Sequence, residues 1–352
     1  MRGVSVRQTA AFFAIIAGAM KTSAIALALL SCAAFASARA GGNDKSAGWP
    51  IDDQVLSNVL VSQLDCGAWA KNIDKRRPFD EHRRAKIAAE KGDAESATID
   101  NNATTTEIRY LVRHHREKGD AASLAAAQKG VDWLLSTQLA NGGWAQFPHR
   151  TKGYWTHITF NDNAMRNVLE LMRDAADGAD GMEALGAERR ERCRRAFEKG
   201  LDCVLKCQIR VDGKPTVWCQ QHDRETRKPA DGRAYELASY CSQESADMVK
   251  FLMTLDNPSP EVVASVDGAV RWFERTRLPD GTWARFYDLE ECRPFFCDRS
   301  GVPKRDISEI DRERSKGYAW FGKKGADVLK KYEKWRAAPG KNAKREKKGR
   351  KE

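Results

Sequence analysis

Four stretches of the chain are richer in acids, amides, arginines and aromatic rings than connecting loops require. Residues 98–107 carry Asp100, Asn101, Asn102 and Glu107 among threonines. Carboxylates and amides are hard oxygen donors, of which calcium collects roughly six to eight from several loops. The same side chains can instead cap a helix beginning near Ala103. Residues 153–165 hold Tyr154, Trp155, His157, Phe160, Asn161 and Asp162, three rings beside an acid, which makes a platform for stacking a sugar next to a cation site. Asp162 also sits where an N-cap belongs, so capping and ligation compete for one carboxylate, and His157 suits a satisfied buried histidine as well as a ligand. The third stretch, residues 218–223 and 232–236, contains Arg233 and Tyr235; the fourth, residues 283–294 and 312–320, contains Arg285, Arg293 and Arg314. Arginines flanked by rings bind planar carboxylates bidentately, although any one of them also fits a solvated surface.

The elements that must position these groups read as helices. Amphipathic periodicity covers residues 52–63, 103–118, 123–138, 161–174, 184–208, 243–255, 260–275 and 324–335, and no alternating β-branched run persists. Ser259 before Pro260 is a helix start, and Asp120 or Ser123 can cap the helix that follows. A weak repeat runs through the pattern: a helix, then Asn141-Gly142-Gly143-Trp144, echoed by Asp280-Gly281-Thr282-Trp283 and more loosely by Cys66-Gly67-Ala68-Trp69. Helical hairpins around a barrel would give this, each loop delivering aromatics to one rim; a catalytically inert helical array would give it too.

Composition bounds the rest. With 41% hydrophobic and 31% charged residues and 10 tryptophans in 352, the chain is globular. Residues 24–30 form an apolar run behind Lys21, followed by small residues 33–40, which predicts an export signal over residues 1–40. It is too short for a membrane span, and its alternative is a lipoprotein box that would anchor the chain at Cys32. Export permits disulfides among the remaining cysteines, with Cys292–Cys297 the expected pair, while Cys203 and Cys207 four apart are poorly spaced for zinc. The net charge of +11 asks for an acidic partner, but residues 339–352 read as a solvated basic tail. No nucleic-acid motif is present, so an anionic extracellular polymer fits better.

In this order, residues 71–74, 98–107, 141–147, 157–164, 218–223, 233–236, 283–287 and 317–320 resemble the family-10 polysaccharide lyases. The resemblance runs over nearly all of residues 41–338. It implies an all-α fold, an (α/α)3 barrel, and pectate lyase activity on polygalacturonate with Ca2+ as cofactor; a monomer is expected. It further implies that Asp162 and Asn101 ligate calcium, that Asp100 is the essential carboxylate beside them, and that Arg233 is the base. Substrate contacts are implied for Arg314, for Arg293 and Arg285 as helpers, and for Lys71, Tyr154, His157, Asn161 and Tyr235. The chain departs from the family at Ala68, where glycine is usual, and at Ala145, where proline is commoner. A non-catalytic acidic-sugar binder and a hydrolase using Asp100 with Asp162 are the competing readings.

Overall fold

The computed structural model describes residues 45–337. The expected signal, Cys32 and the basic tail lie outside the described residues. Ten α-helices, numbered along the chain among the described residues, carry the architecture: α1 Asp53–Val61, α2 Glu81–Ala89, α3 Thr105–Lys118, α4 Ala121–Ser136, α5 Ala164–Asp177, α6 Ala187–Cys207, α7 Ser242–Leu252, α8 Pro260–Thr276, α9 Arg312–Gly317 and α10 Lys324–Ala337. Among the described residues the strands are two-residue pairings that tie loops together, such as Ile158–Thr159 against Gln221–His222.

Burial separates an inner from an outer layer. Helix α5 buries 11 of its 14 residues, whereas α6 buries 6 of 21, as expected for a helix surrounded on all sides beside one with a single apolar stripe. The inner helices α3, α5 and α7 pack in sequence, and each forms a hairpin with the outer helix that follows, α4, α6 and α8. This is the (α/α)3 arrangement. Helix α1 lies against α3 and α4, and α10 against α7 and α8. Asp120, not Ser123, caps α4, and Ser259 caps α8. The short helices α2 and α9 escape a periodicity search because α2 buries only Ile87 and α9 buries no residue, so neither carries an apolar stripe.

The tryptophan repeat turns out to be a joint. Trp69, Trp144, Trp218 and Trp283 are all essentially unexposed, and each indole N–H donates to a carbonyl near the end of the preceding outer helix: Val59, Leu134, Val204 and Phe273, at 2.7–2.9 Å. A buried indole needs such an acceptor. The rings therefore pin loops to helices instead of presenting themselves at a rim. A glutamine before three of these loops makes a second joint: the Gln138 amide donates to Gly142 O in its own loop and to Ala196 O on α6, at 2.9 and 2.8 Å. Gln63 reaches Gly67 and Ala126 on α4 in the same way, and Gln208 reaches Thr216 and Ser265 on α8. Close approach at the joint needs glycine, since a Cβ on Gly200 of α6 would lie 2.6 Å from Leu169 and 2.9 Å from Trp144. The third loop is longer, with a small hairpin of Arg210–Val211 and Lys214–Pro215 inserted, which is why Trp218 does not stand out as a copy in sequence.

Each inner helix is then entered through a turn laced to two consecutive loops. Thr98 N–H donates to Trp69 O and Ile99 N–H to Gln146 O; Thr159 N–H to Trp144 O and Phe160 N–H to Gln220 O; Cys241 N–H to Trp218 O and Ser242 N–H to Arg285 O. The pattern places the residues two beyond each tryptophan, Lys71, Gln146, Gln220 and Arg285, beside the starts of the inner helices. A second apolar cluster of Tyr235, Cys241, Phe286, Phe295, Phe296, Ile310 and Trp320 supports this end.

The expected Cys292–Cys297 disulfide does not form. All eight cysteines among the described residues are free thiols. Cys292 Sγ accepts the Trp272 indole N–H at 3.2 Å, while Cys297 turns to Ala234 O and Asp298 O in the other cluster. Cys203 and Cys207 lie on one face of α6 with sulfurs 3.9 Å apart.

Candidate functional site

The turns before α3 and α5 are near copies. Residues 98–103 read Thr-Ile-Asp-Asn-Asn-Ala and residues 159–164 read Thr-Phe-Asn-Asp-Asn-Ala. In both, the threonine hydroxyl accepts the N–H two residues on, from Asp100 and from Asn161. Both then turn left-handed, at Asn101 (φ 51, ψ 34) and Asp162 (φ 49, ψ 29), a region that favours Asn and Asp among non-glycine residues. The two turns pack together. Neither acid caps a helix: the cap positions are Thr104 and Asn163, neither of which makes a capping hydrogen bond. The capping alternative for Asp100 and Asp162 is thereby removed, and both carboxylates remain for other work.

Asp100 is 2% exposed. Its Oδ2 accepts from Lys71 Nζ, and its Oδ1 is buried with no hydrogen-bond partner. Asp162 keeps an exposed face and accepts from the Asn161 amide at 3.1 Å. Desolvation raises its carboxyl pKa, and the charges of Asp100 and Glu244 add to that rise. Glu244, in the first turn of α7, occupies the place in the third copy that Asp162 holds in the second, so acids from three inner-helix starts converge. Its oxygens take Arg285 Nη2 at 2.5 Å and the Cys241 thiol at 2.6 Å.

Opposite the acids stand arginines. Arg233 grips Glu236 through Nε at 2.8 Å, through Nη2 and through its own backbone N–H. Glu236 is 3% exposed and also accepts from Tyr318 Oη at 2.7 Å and from the Gln220 amide at 3.3 Å. Burial pushes the Glu236 carboxyl up, but the Arg233 and Tyr318 contacts outweigh it and hold it below the ordinary range. The Glu236 hydrogen bonds correspondingly raise Arg233 above the usual guanidinium value. Arg233 and Arg314 lie over the Tyr235 ring, with guanidinium carbons 4.9 and 4.7 Å from its centroid, and Arg285 lies over Tyr318 at 4.8 Å. Tyr154 completes the wall: burial raises its hydroxyl pKa, and Arg233, Glu236, Asp100 and Tyr235 all act on it electrostatically. Beside Lys71 and Asn101 the cleft continues into a groove of about 470 Å3 reaching Lys45, Trp49 and Arg76.

Of the residues singled out in the sequence, the structure brings together Lys71, Asp100, Asn101, Tyr154, Asn161, Asp162, Arg233, Tyr235, Arg285 and Arg314. Asn161 faces inward, bonded to the Gln220 amide. His157 stands at the margin, its Nδ1 3.9 Å from Asp223 Oδ2 and without a hydrogen bond. Arg293 is not brought in; its exposed guanidinium pairs with Glu291. Nor does Phe160 join a sugar platform, since it is 2% exposed and packs between Trp218 and His222; Tyr154 and Trp155 are the half-buried rings that remain. Glu236, Glu244 and Gln220 were not singled out. Their signal is positional, an acid three residues after Arg233 and residues at set offsets from each tryptophan.

Over residues 63–282 and 279–329 the chain matches the pectic acid lyase family. The chain belongs to this family. Among solved structures, a family 10 polysaccharide lyase from Cellvibrio cellulosa is 31% identical, covering 83% of this chain and 94% of that one with a TM-score of 0.74. An aspartate-to-alanine mutant of a family 10 polysaccharide lyase from the same organism, in complex with trigalacturonic acid, matches at the same identity and TM-score and is covered to 95%. A search of curated proteins found no match. The helical hairpins and their loop-built cleft are thus those of a family 10 polysaccharide lyase, and no helix among the described residues is long and apolar enough to cross a membrane.

A cation site in this chain would be built from oxygens of few residues. Among the described residues no group of three His, Cys, Asp or Glu side chains is placed to hold a metal. The amide of Asn101, the carboxylate of Asp162 and the unpartnered Oδ1 of Asp100 nevertheless fit calcium's preference for hard oxygens, with further positions left for water or a ligand carboxylate. Burial is the main cause of the raised Asp162 carboxyl, and the facing charges of Asp100 and Glu244 add to it against the opposing pull of Arg285 and Arg233.

Proposed function

We propose that the chain is a pectate lyase that cleaves α-1,4-linked polygalacturonate by calcium-assisted β-elimination, yielding 4,5-unsaturated oligogalacturonides. The observation that carries this reading is the juxtaposition of Arg233 with Asp100, whose Oδ1 is buried and unpartnered, and with Asp162, whose carboxyl is raised. One end of the barrel thereby offers oxygens for a cation and guanidinium groups for uronate carboxylates. The relative solved with trigalacturonic acid supports the substrate class.

The C5 proton of a galacturonate is very weakly acidic, and charge builds on the adjoining carboxylate as it leaves. Asp162 and Asn101, beside Asp100, would hold calcium, which would supply neutralisation of that carboxylate. Arg314 and Arg285 orient the polyanion, and Lys71, Tyr154, His157, Asn161 and Tyr235 flank it. Arg233 takes the C5 proton; the C5–H electron pair forms the C4–C5 double bond, the C4–O bond breaks, and the departing oxygen is protonated from water. Only neutral guanidine can accept a proton, and Glu236 holds Arg233 charged, so the activity belongs at alkaline pH.

The apolar run at residues 24–30 and the small residues after it support export to the periplasm or medium, with lipidation at Cys32 as the alternative anchor. The test is ultraviolet absorbance of the purified chain on polygalacturonate at alkaline pH, with calcium or with chelator. A calcium-dependent rise, lost in Arg233→Ala, is the expected result. Reducing ends without unsaturation would show hydrolysis, and a folded protein with neither would show a binder.

A further inference from the structure

Three guanidinium groups converge on one ring. Arg233, Arg314 and Arg299 lie 4.9, 4.7 and 5.9 Å from the Tyr235 centroid. Like charges so close repel unless carboxylates intervene, and two do, in very different settings. Glu236 is locked in place by Arg233, Tyr318 and Gln220 and has almost no exposure. Glu313, near the start of α9, is half open to solvent, its side chain 52% exposed. It accepts from Arg299 Nε and Nη2 at 2.9 and 3.0 Å and from Arg314 Nη2 at 2.5 Å.

We propose that Glu313 is a resident stand-in for the substrate's carboxylate, occupying Arg314 and Arg299 until a uronate displaces it, and so sets the enzyme's affinity for acidic sugar. A planar carboxylate shared by two guanidinium groups is the contact a uronate would make. The arginines can be re-used because Glu313 and Arg299 are open to solvent, with side chains 52% and 65% exposed, so the carboxylate can leave while Arg314, whose side chain is 12% exposed, stays in place. Arg314 retains a buried Nε with no partner, a donor that Glu313 does not reach. Hydrogen bonds from Arg299 and Arg314 hold the Glu313 carboxyl down to about 2, so it remains charged at any pH where a lyase works, and displacement is by competition instead of protonation. The Arg299 contact was not evident in sequence, since it is fourteen residues from Glu313.

This inference rests on the reading that Arg314 takes a uronate carboxylate. Glu313→Gln keeps the side chain's shape and removes its charge. It is expected to lower KM for polygalacturonate, and Kd for trigalacturonate by calorimetry, by roughly two- to five-fold, with kcat unchanged. The gain should shrink as salt screens the pair, and Glu313→Asp, which keeps the charge, should bind more weakly than Glu313→Gln. KM and Kd unchanged or raised in Glu313→Gln would overturn the proposal, because Glu313 would then serve only to orient Arg314. If the wild-type chain forms no unsaturated product, the lyase reading fails, while the calorimetric comparison still decides what Glu313 does.

Discussion

Glu236→Gln asks directly whether Arg233 is the titrating base. The replacement is nearly isosteric at a 3% exposed position, so the fold has little cause to change. It removes the negative charge that Arg233 grips through Nε and Nη2, and an amide can accept from only one of those two donors. Hydrogen bonds between charged groups are worth about 1.5–3 kcal/mol each. Because the Arg233 side chain is 45% exposed, solvent screening argues for the lower end, about 1.5 kcal/mol, which is about one pKa unit. The sign follows from the direction of the shift. Glu236 raises Arg233, so removing its charge lowers Arg233 and makes the neutral form about tenfold more abundant at any pH below the pKa. The rising alkaline limb of kcat/KM should therefore move about one pH unit toward neutrality. The assay is the pH profile of unsaturated-product formation at fixed calcium and ionic strength, read as kcat/KM because that ratio reports the free enzyme, with circular dichroism to confirm folding. A limb that does not move, or moves upward, would refute the assignment of Arg233 as the group whose deprotonation limits the rate.

Other expectations follow from the same structure. Chelation should abolish product formation and added calcium restore it, and Asp162→Ala should remain inactive at calcium levels that saturate the wild type. Gln138→Leu leaves the Gly142 carbonyl without its side-chain donor and removes a second donor from the Ala196 carbonyl, and should cost about 1–3 kcal/mol in a urea titration. His222 accepts from Cys219 N–H and donates to Arg227 O in a fully buried setting, and desolvation lowers its pKa to about 4. Its neutral form therefore stabilises the fold above the unfolded value of about 6.5. That contribution, about 3 kcal/mol at most, should fade as pH falls from 6.5 to 4, seen as a falling urea midpoint that flattens in His222→Asn.

Much of the fold was legible because helices advertise themselves by period. Residues 260–275 and 324–335 read nearly as they fold, since both carry an uninterrupted apolar stripe. The joints were not legible. Trp69, Trp144 and Trp283 suggested aromatics delivered to one rim, and nothing in a tryptophan's identity says that its N–H answers a carbonyl ten residues back. The site divides the same way. Asp100, Asp162 and Arg233 stood out by type and by resemblance, whereas Glu236 and Glu244 acquire significance only from what they touch. Arg293 has the same kind of sequence setting as the other arginines, but its exposed side chain pairs with Glu291 and joins none of their contacts. The Cys292–Cys297 pairing failed because five residues of separation say nothing about which cluster each sulfur enters.

The lacing of each inner-helix turn to two successive loops has an evolutionary consequence. Every turn is held by main-chain bonds to the tryptophan of its own loop and to the residue two beyond the next, so the lacing itself does not depend on which side chain stands at that second position. Glutamine, glutamine and arginine occupy it at residues 146, 220 and 285, and Lys71 stands at the same distance from Trp69. Three of them are engaged in the cleft, through Asp100, Asn161 and Glu244, while Gln146 keeps a buried Oε1 with no partner. A duplicated module of this kind can acquire chemistry one address at a time.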